Sequence, residues 1–160
     1  MEYARGRIGR VFAARLADGE PVYEAIEELA RREAVGSALV AVVGGARRGT
    51  VVAGPKQSSG PIEPILRSFD DAREIVGVGT LHGSDDGPKL HLHAGIGRGD
   101  EVIVGCPRCG LDAFLILEVF VLEIEGLEAE RRLDPATGLK LLAFAAPEIV
   151  ELRRREPGES

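Results

Sequence analysis

The chain has no tryptophan, one methionine, two tyrosines and five phenylalanines. Lysine is confined to Lys56, Lys89 and Lys140, while arginine is abundant. Charge-rich segments with few aromatics are compatible with a GC-rich or thermophilic source. There are two cysteines, Cys106 and Cys109, which excludes a disulfide-stapled scaffold and leaves free thiols or a metal site. No apolar run approaches the ~18 residues of a membrane span. The opening MEYARGRIGR lacks the apolar stretch of a signal peptide, so a cytoplasmic location is expected. A basic excess is missing too. The formal net charge of -6 argues against a protein that coats nucleic acid with its whole surface.

What is present fits one folded domain. A chain of 160 residues, 44% hydrophobic and 29% charged, is long enough to bury a core. Arg7–Leu16 reads as a strand by partial alternation. Arg5-Gly6-Arg7 lacks the proline of a minor-groove hook and reads as solvated charge. Asp18-Gly19-Glu20-Pro21 enters a helix expected over Pro21–Val35, with acids early, Arg31-Arg32 late and Gly36 as its stop. Ser37–Gly44 is a buried strand; Gly44-Gly45 breaks it and Arg47–Ala53 forms another. Pro55–Pro64 is a loop, Arg73–Leu81 a strand, and Val102–Val104 a brief strand before Gly105. Ala113–Ile124, the longest apolar run, is a strand by its Val, Ile and Phe content. Glu118 in its middle must face out or find a partner. Asp134–Gly138 is a turn and Leu139–Phe144 a final strand. The domain is expected over residues 1–147, and the polar tail 148–160 is expected to fray.

One helix followed mostly by strands predicts an α+β fold: an antiparallel-rich mixed sheet flanked by few helices. The chemistry concentrates in Thr80–Gly110, which holds all three histidines and both cysteines. Ser84-Asp85-Asp86-Gly87 is a turn cluster between a run ending near His82 and one starting at Lys89, so a hairpin over about Ile75–Ile96 is expected. His91 and His93 share a strand face. If His82 lies opposite Lys89, it joins that face; a one-residue slip would remove it. A His-x-His pair supplies two nitrogen ligands, and zinc or another divalent transition metal needs a third. His82 supplies it through the hairpin register alone. Cys106 supplies it only if the Gly105 loop folds back and the thiol loses its proton. The hairpin is the shorter route, so His82 is favoured over Cys106. Cys106-Pro107-Arg108-Cys109 has half a zinc-ribbon spacing without a second half. With a metal bound, Glu118 is a candidate catalytic acid/base, and Arg108 a candidate ligand-binding residue for a carboxylate or phosphate. Otherwise the two form a structural ion pair.

Three segments together resemble the plants-and-prokaryotes-conserved (PPC) domain family, whose plant members carry AT-hooks. They are Gly9-Arg10-Val11-Phe12 through Glu20, Val42–Ala46, and His91-Leu92-His93-Ala94 with Gly105 and Glu118-Val119. The similarity spans about residues 5–145. It implies a compact α/β domain that assembles as a homotrimer, with the histidines near the subunit boundary. It also implies a fold like that of acetolactate decarboxylase, whose zinc is held by three histidines. This chain has Gly105-Cys106-Pro107-Arg108 where the family usually has Gly-Gly-His-Leu, so one commonly present histidine is missing. Two functions stay open. One is a metal-dependent enzyme or binder of a small-molecule ligand. The other is a non-catalytic DNA-associated or protein-interaction module. Tight duplex binding by this chain alone is not expected, because basic residues are interleaved with acids.

Overall fold

The structure is a computed structural model, and it describes residues 1–60 and 62–150, the Cys109 side chain apart. Ten strands and one helix occur among the described residues: β1 (Glu2–Tyr3), β2 (Arg7–Ala17), α1 (Val22–Arg32), β3 (Ser37–Pro55), β4 (Pro64–Phe69), β5 (Arg73–His82), β6 (Lys89–Arg98), β7 (Glu101–Glu125), β8 (Ala129–Leu133), β9 (Lys140–Phe144) and β10 (Glu148–Ile149). All strand ladders are antiparallel, and six strands form the main sheet in the order β2-β7-β6-β5-β3-β4. Pairing of β3 with β7 closes a circuit β3-β5-β6-β7. The expected α+β class with few helices is what forms.

The core lies on one face of this circuit. Alternation sends Val40, Val42, Leu81, Leu90, Leu92, Ile96, Val119 and Val121 inward, where all are buried. Helix α1 adds Val22, Ile26 and Ala30 from positions four apart. Burying each larger aliphatic stabilises the fold by about 1.5–3 kcal/mol. Glu27 of α1 is buried as well. Its carboxylate accepts from the Leu90 backbone N–H (3.2 Å) and from Lys89 Nζ (3.1 Å), which ties the helix to the start of β6.

Several boundaries differ from the sequence expectation. The helix stops at Arg32, and Ala34 with φ 53° turns the chain before Gly36 is reached. Gly44-Gly45 bends β3 without breaking it: Gly44 has φ 143°, the ladder shifts register there, and the strand continues to Pro55. The two expected strands around Gly105 are one 25-residue strand, β7, because β3 follows it through several bulges. Strands β4 and β8 were not anticipated. The expected polar tail begins with β10, which pairs with β1; residues 151–160 lie outside the described residues. Arg5 and Arg7 are exposed and pair with Glu148 and Glu125, as expected of solvated charge.

Candidate metal centre and adjoining cavities

Two hairpins build the site. In the first, β5 and β6 pair with His82 opposite Lys89, Thr80 opposite His91 and Val78 opposite His93. In the second, β6 and β7 are joined by Gly99-Asp100, with Arg98 opposite Glu101 and Ala94 opposite Gly105. Gly99 takes φ 57°, the left-handed conformation a two-residue hairpin turn requires. That turn fixes the register. One step beyond Ala94–Gly105, it sets Cys106 beside His93. The ligand atoms of His91, His93 and Cys106 all lie within 4.8 Å of one another.

The third side chain of this group is Cys106, brought in by an unbroken strand and not by a loop folding back. His82 does lie opposite Lys89, yet it stands outside this group. It is only 2% exposed, and its Nδ1 is 3.0 Å from Ser37 Oγ across the β3–β5 ladder. Burial, helped by the positive charge of Arg131, holds its pKa down at about 4, so the ring is neutral. His91 is also lowered, first by burial and then by Arg131, His93 and Arg108. A neutral imidazole is the form that ligates. The two rings stand edge to face with centroids 5.0 Å apart.

Around the trio the chain is tied down. The Tyr23 hydroxyl donates to the Pro107 carbonyl, and burial beside Cys106 raises the phenol pKa far above its usual value. Arg131 of β8 donates from its guanidinium to Thr80 Oγ1 (2.7 Å), the residue opposite His91. Its backbone N–H bonds the Gly83 carbonyl (2.7 Å), so the β8–β9 hairpin leans over this face. Two cavities meet at the trio. One, about 670 Å³, is lined by residues that include Tyr23, His91, Cys106, Arg108 and Arg131. The other, about 570 Å³, is lined by residues that include Pro55, Gln57, Ile62, His93, Cys106 and Arg108. Arg108 lines both.

The remaining candidates fall elsewhere. Glu118 is exposed and opposite Arg15 and Val43, and it lines neither cavity. Along the ladder Glu118–Val43–Val76–Gly95 three strand spacings separate it from β6, and it is not a member of the trio. No ion pair joins Glu118 to Arg108 among the described residues. Asp85 and Asp86 sit in the turn, near Lys140 Nζ at 3.7 and 3.3 Å. Cys109 pairs by backbone with Thr50.

Two nitrogens and one thiolate suit zinc, whose ligand bonds of about 2.0–2.3 Å place donors about 3.5 Å apart around a tetrahedron. The trio needs only small side-chain adjustments to reach that, and the cavities leave room for a fourth ligand. An antiparallel β domain with a His-His-Cys donor set at a cavity junction is thus the class of protein defined here.

Residues 3–125 match the Plants and Prokaryotes Conserved (PCC) domain, and the chain belongs to that family, also abbreviated PPC. Solved structures agree. The metal-containing protein AF0104 from Archaeoglobus fulgidus is 26% identical, with TM-score 0.78 over 89% of this chain and 99% of that one. A plant- and prokaryote-conserved protein from Pyrococcus horikoshii is 21% identical, with TM-score 0.77 over 95% and 100%. A protein from Ralstonia eutropha JMP134 that is proposed to bind DNA is 19% identical, with TM-score 0.68 over 82% and 90%. No curated protein matches.

Proposed function

We propose that this protein binds a divalent transition metal, zinc being the ion its donors suit, through His91, His93 and Cys106, and a small-molecule ligand beside it. The observation that carries the reading is the convergence of three donor atoms within 4.8 Å at the junction of two cavities. A similar protein from Archaeoglobus fulgidus, described as metal-containing, supports it. The metal, when bound with an open position, supplies polarisation of a carbonyl or activation of a water. The chain's own residues do the rest. Arg108 presents a planar fork to an anionic group, and Tyr23 fixes the Pro107 backbone next to Cys106. Elemental analysis of untagged protein tests this: about one zinc per chain is expected, and none after His93→Ala. Wild type free of metal, and unable to take up micromolar zinc, overturns it.

The outer sheet face supports an assembly. Val76, Val78 and Val104 are 65%, 58% and 66% exposed, and they surround His93 and Gly95 on that face. Leu39, Val43 and Phe120 extend the apolar surface across β3 and β7. A monomer rarely leaves such a continuous patch bare. A second copy covers it best, in a homotrimer, which places the metal centre next to a subunit boundary. Glu118 lies on this same face, and its reach to another site would be across that boundary.

The DNA-associated reading has less support in the residues. Arg5, Arg7, Arg10, Arg47, Arg48, Arg73, Arg98 and Arg132 each pair with a carboxylate. Among the described residues no long stripe of free cations is left to track phosphates.

A further inference from the structure

The cavity between β6, α1 and the β8–β9 hairpin has one sign of charge. Lys89, Arg108, Arg131 and Lys140 line it together with His91, and among the described residues no carboxylate does. This is unusual in a chain of net charge -6. Two of the cations are already satisfied: Lys89 holds Glu27 at 3.1 Å and Lys140 approaches Asp86 at 3.3 Å. The other two are not. Among the described residues, neither Arg108 nor Arg131 has a carboxylate within ion-pair distance. Arg131 Nε is buried with no hydrogen-bond partner, although its other end holds Thr80. Burial holds the Arg131 pKa below its usual value, the sign of a desolvated cation. An uncompensated, partly buried guanidinium is costly unless an anion completes it.

We propose that this cavity is an oxyanion site for a small organic dianion, a dicarboxylate or a phosphate monoester. One charged end sits on Arg131 and Arg108, and the other end reaches toward His91 and Cys106. The proposal rests on the small-molecule reading of the same site and adds the ligand's chemical class. The guanidinium forks donate paired N–H bonds to the two oxygens of a carboxylate or to two phosphate oxygens. A cavity of about 670 Å³ is in the range of small-ligand sites. The Tyr23 hydroxyl is spent on the Pro107 carbonyl, which leaves the arginines as the specificity-giving donors.

The test is calorimetric titration at fixed ionic strength with succinate, glycerol 3-phosphate and neutral erythritol. Each is added to metal-stripped and to zinc-loaded protein. We expect one of the two dianions to bind and erythritol not to. The preferred probe tells carboxylate from phosphate. Arg131→Gln and Arg108→Gln should each weaken binding about tenfold or more, the usual loss for a charge-assisted hydrogen bond. Arg108 is exposed, so its variant keeps the test available should Arg131→Gln fold poorly. Binding of neither dianion, or wild-type affinity in both arginine variants, overturns the proposal. Zinc uptake without dianion binding would sink the oxyanion site and leave the metal centre standing. Dianion binding to protein that takes no zinc would do the reverse.

Discussion

Gly105 is where a single methyl group should damage both the fold and the metal centre. It sits on β7 against β3, one residue before Cys106. A Cβ built there would lie 2.1 Å from the Val52 carbonyl oxygen and 2.9 Å from Val51 Cγ1. The nearest obstacle is backbone and cannot rotate away. Restoring ordinary contact at 3.4 Å means opening the β3–β7 pair by about 1.3 Å. The pairs Val52–Cys106 and Val51–Pro107 are those that must part. Overpacking of this kind costs about 1–3 kcal/mol, and a weakened ladder bond about 1 more. At about 2–4 °C per kcal/mol for a chain of this size, Gly105→Ala should lower Tm by about 5–15 °C. Cys106 moves with the strand, so zinc affinity should fall at least about tenfold as a three-donor site becomes a two-donor one. Gly36→Ala is the control, since nothing lies within 4 Å of its added Cβ. Differential scanning calorimetry and zinc titration read both effects. A Gly105→Ala protein with unchanged Tm and unchanged zinc affinity would refute the packing argument.

Other expectations are simpler. His82 titrates near 6.5 when unfolded and at about 4 when folded, so between those values the unfolded chain binds more protons. Its contribution is therefore intact above about pH 6.5 and is lost as pH falls toward about 4, by at most about 3 kcal/mol. Urea unfolding at pH 4.5 and 7.5 should show this loss in wild type and a smaller one in His82→Gln; equal losses would count against it. Light scattering should give about three times the 17.0 kDa chain mass, and Val78→Asp, which puts a carboxylate on the apolar face, should shift it to one. A wild-type monomer at micromolar concentration would remove the homotrimer.

Much of the fold was legible because its signals are local. The β5–β6 hairpin follows from the Ser84–Gly87 turn, and its register with Lys89 opposite His82 came out as the face argument required. The helix was legible from its 3.6-residue stripe. Its end was not, because Ala34 took the left-handed position that glycine usually fills. The long strands were missed for a tertiary reason. Gly44-Gly45 and Cys106-Pro107 look like breaks when read alone, but β3 and β7 bulge together and carry each other through. The third member of the His91–His93 cluster shows the same limit. The face of His82 was readable, whereas its burial under Ser37 and the β8 hairpin depends on distant segments. The signal for Cys106 was nevertheless present. Gly99-Asp100 is a two-residue turn, and counting back from Arg98 opposite Glu101 puts Cys106 beside His93. Glu118 was read as a charge that must face out or find a partner, and it faces out, but its separation from the histidines follows only from the strand order.

The most direct test is zinc titration at neutral pH of wild type, His93→Ala, Cys106→Ser and His82→Ala. The account predicts one tight site per chain in wild type. Uptake should be lost in His93→Ala, weakened at least about tenfold in Cys106→Ser, and retained in His82→Ala. Full affinity in Cys106→Ser together with loss in His82→Ala would contradict it, and would move the third ligand back to the buried histidine.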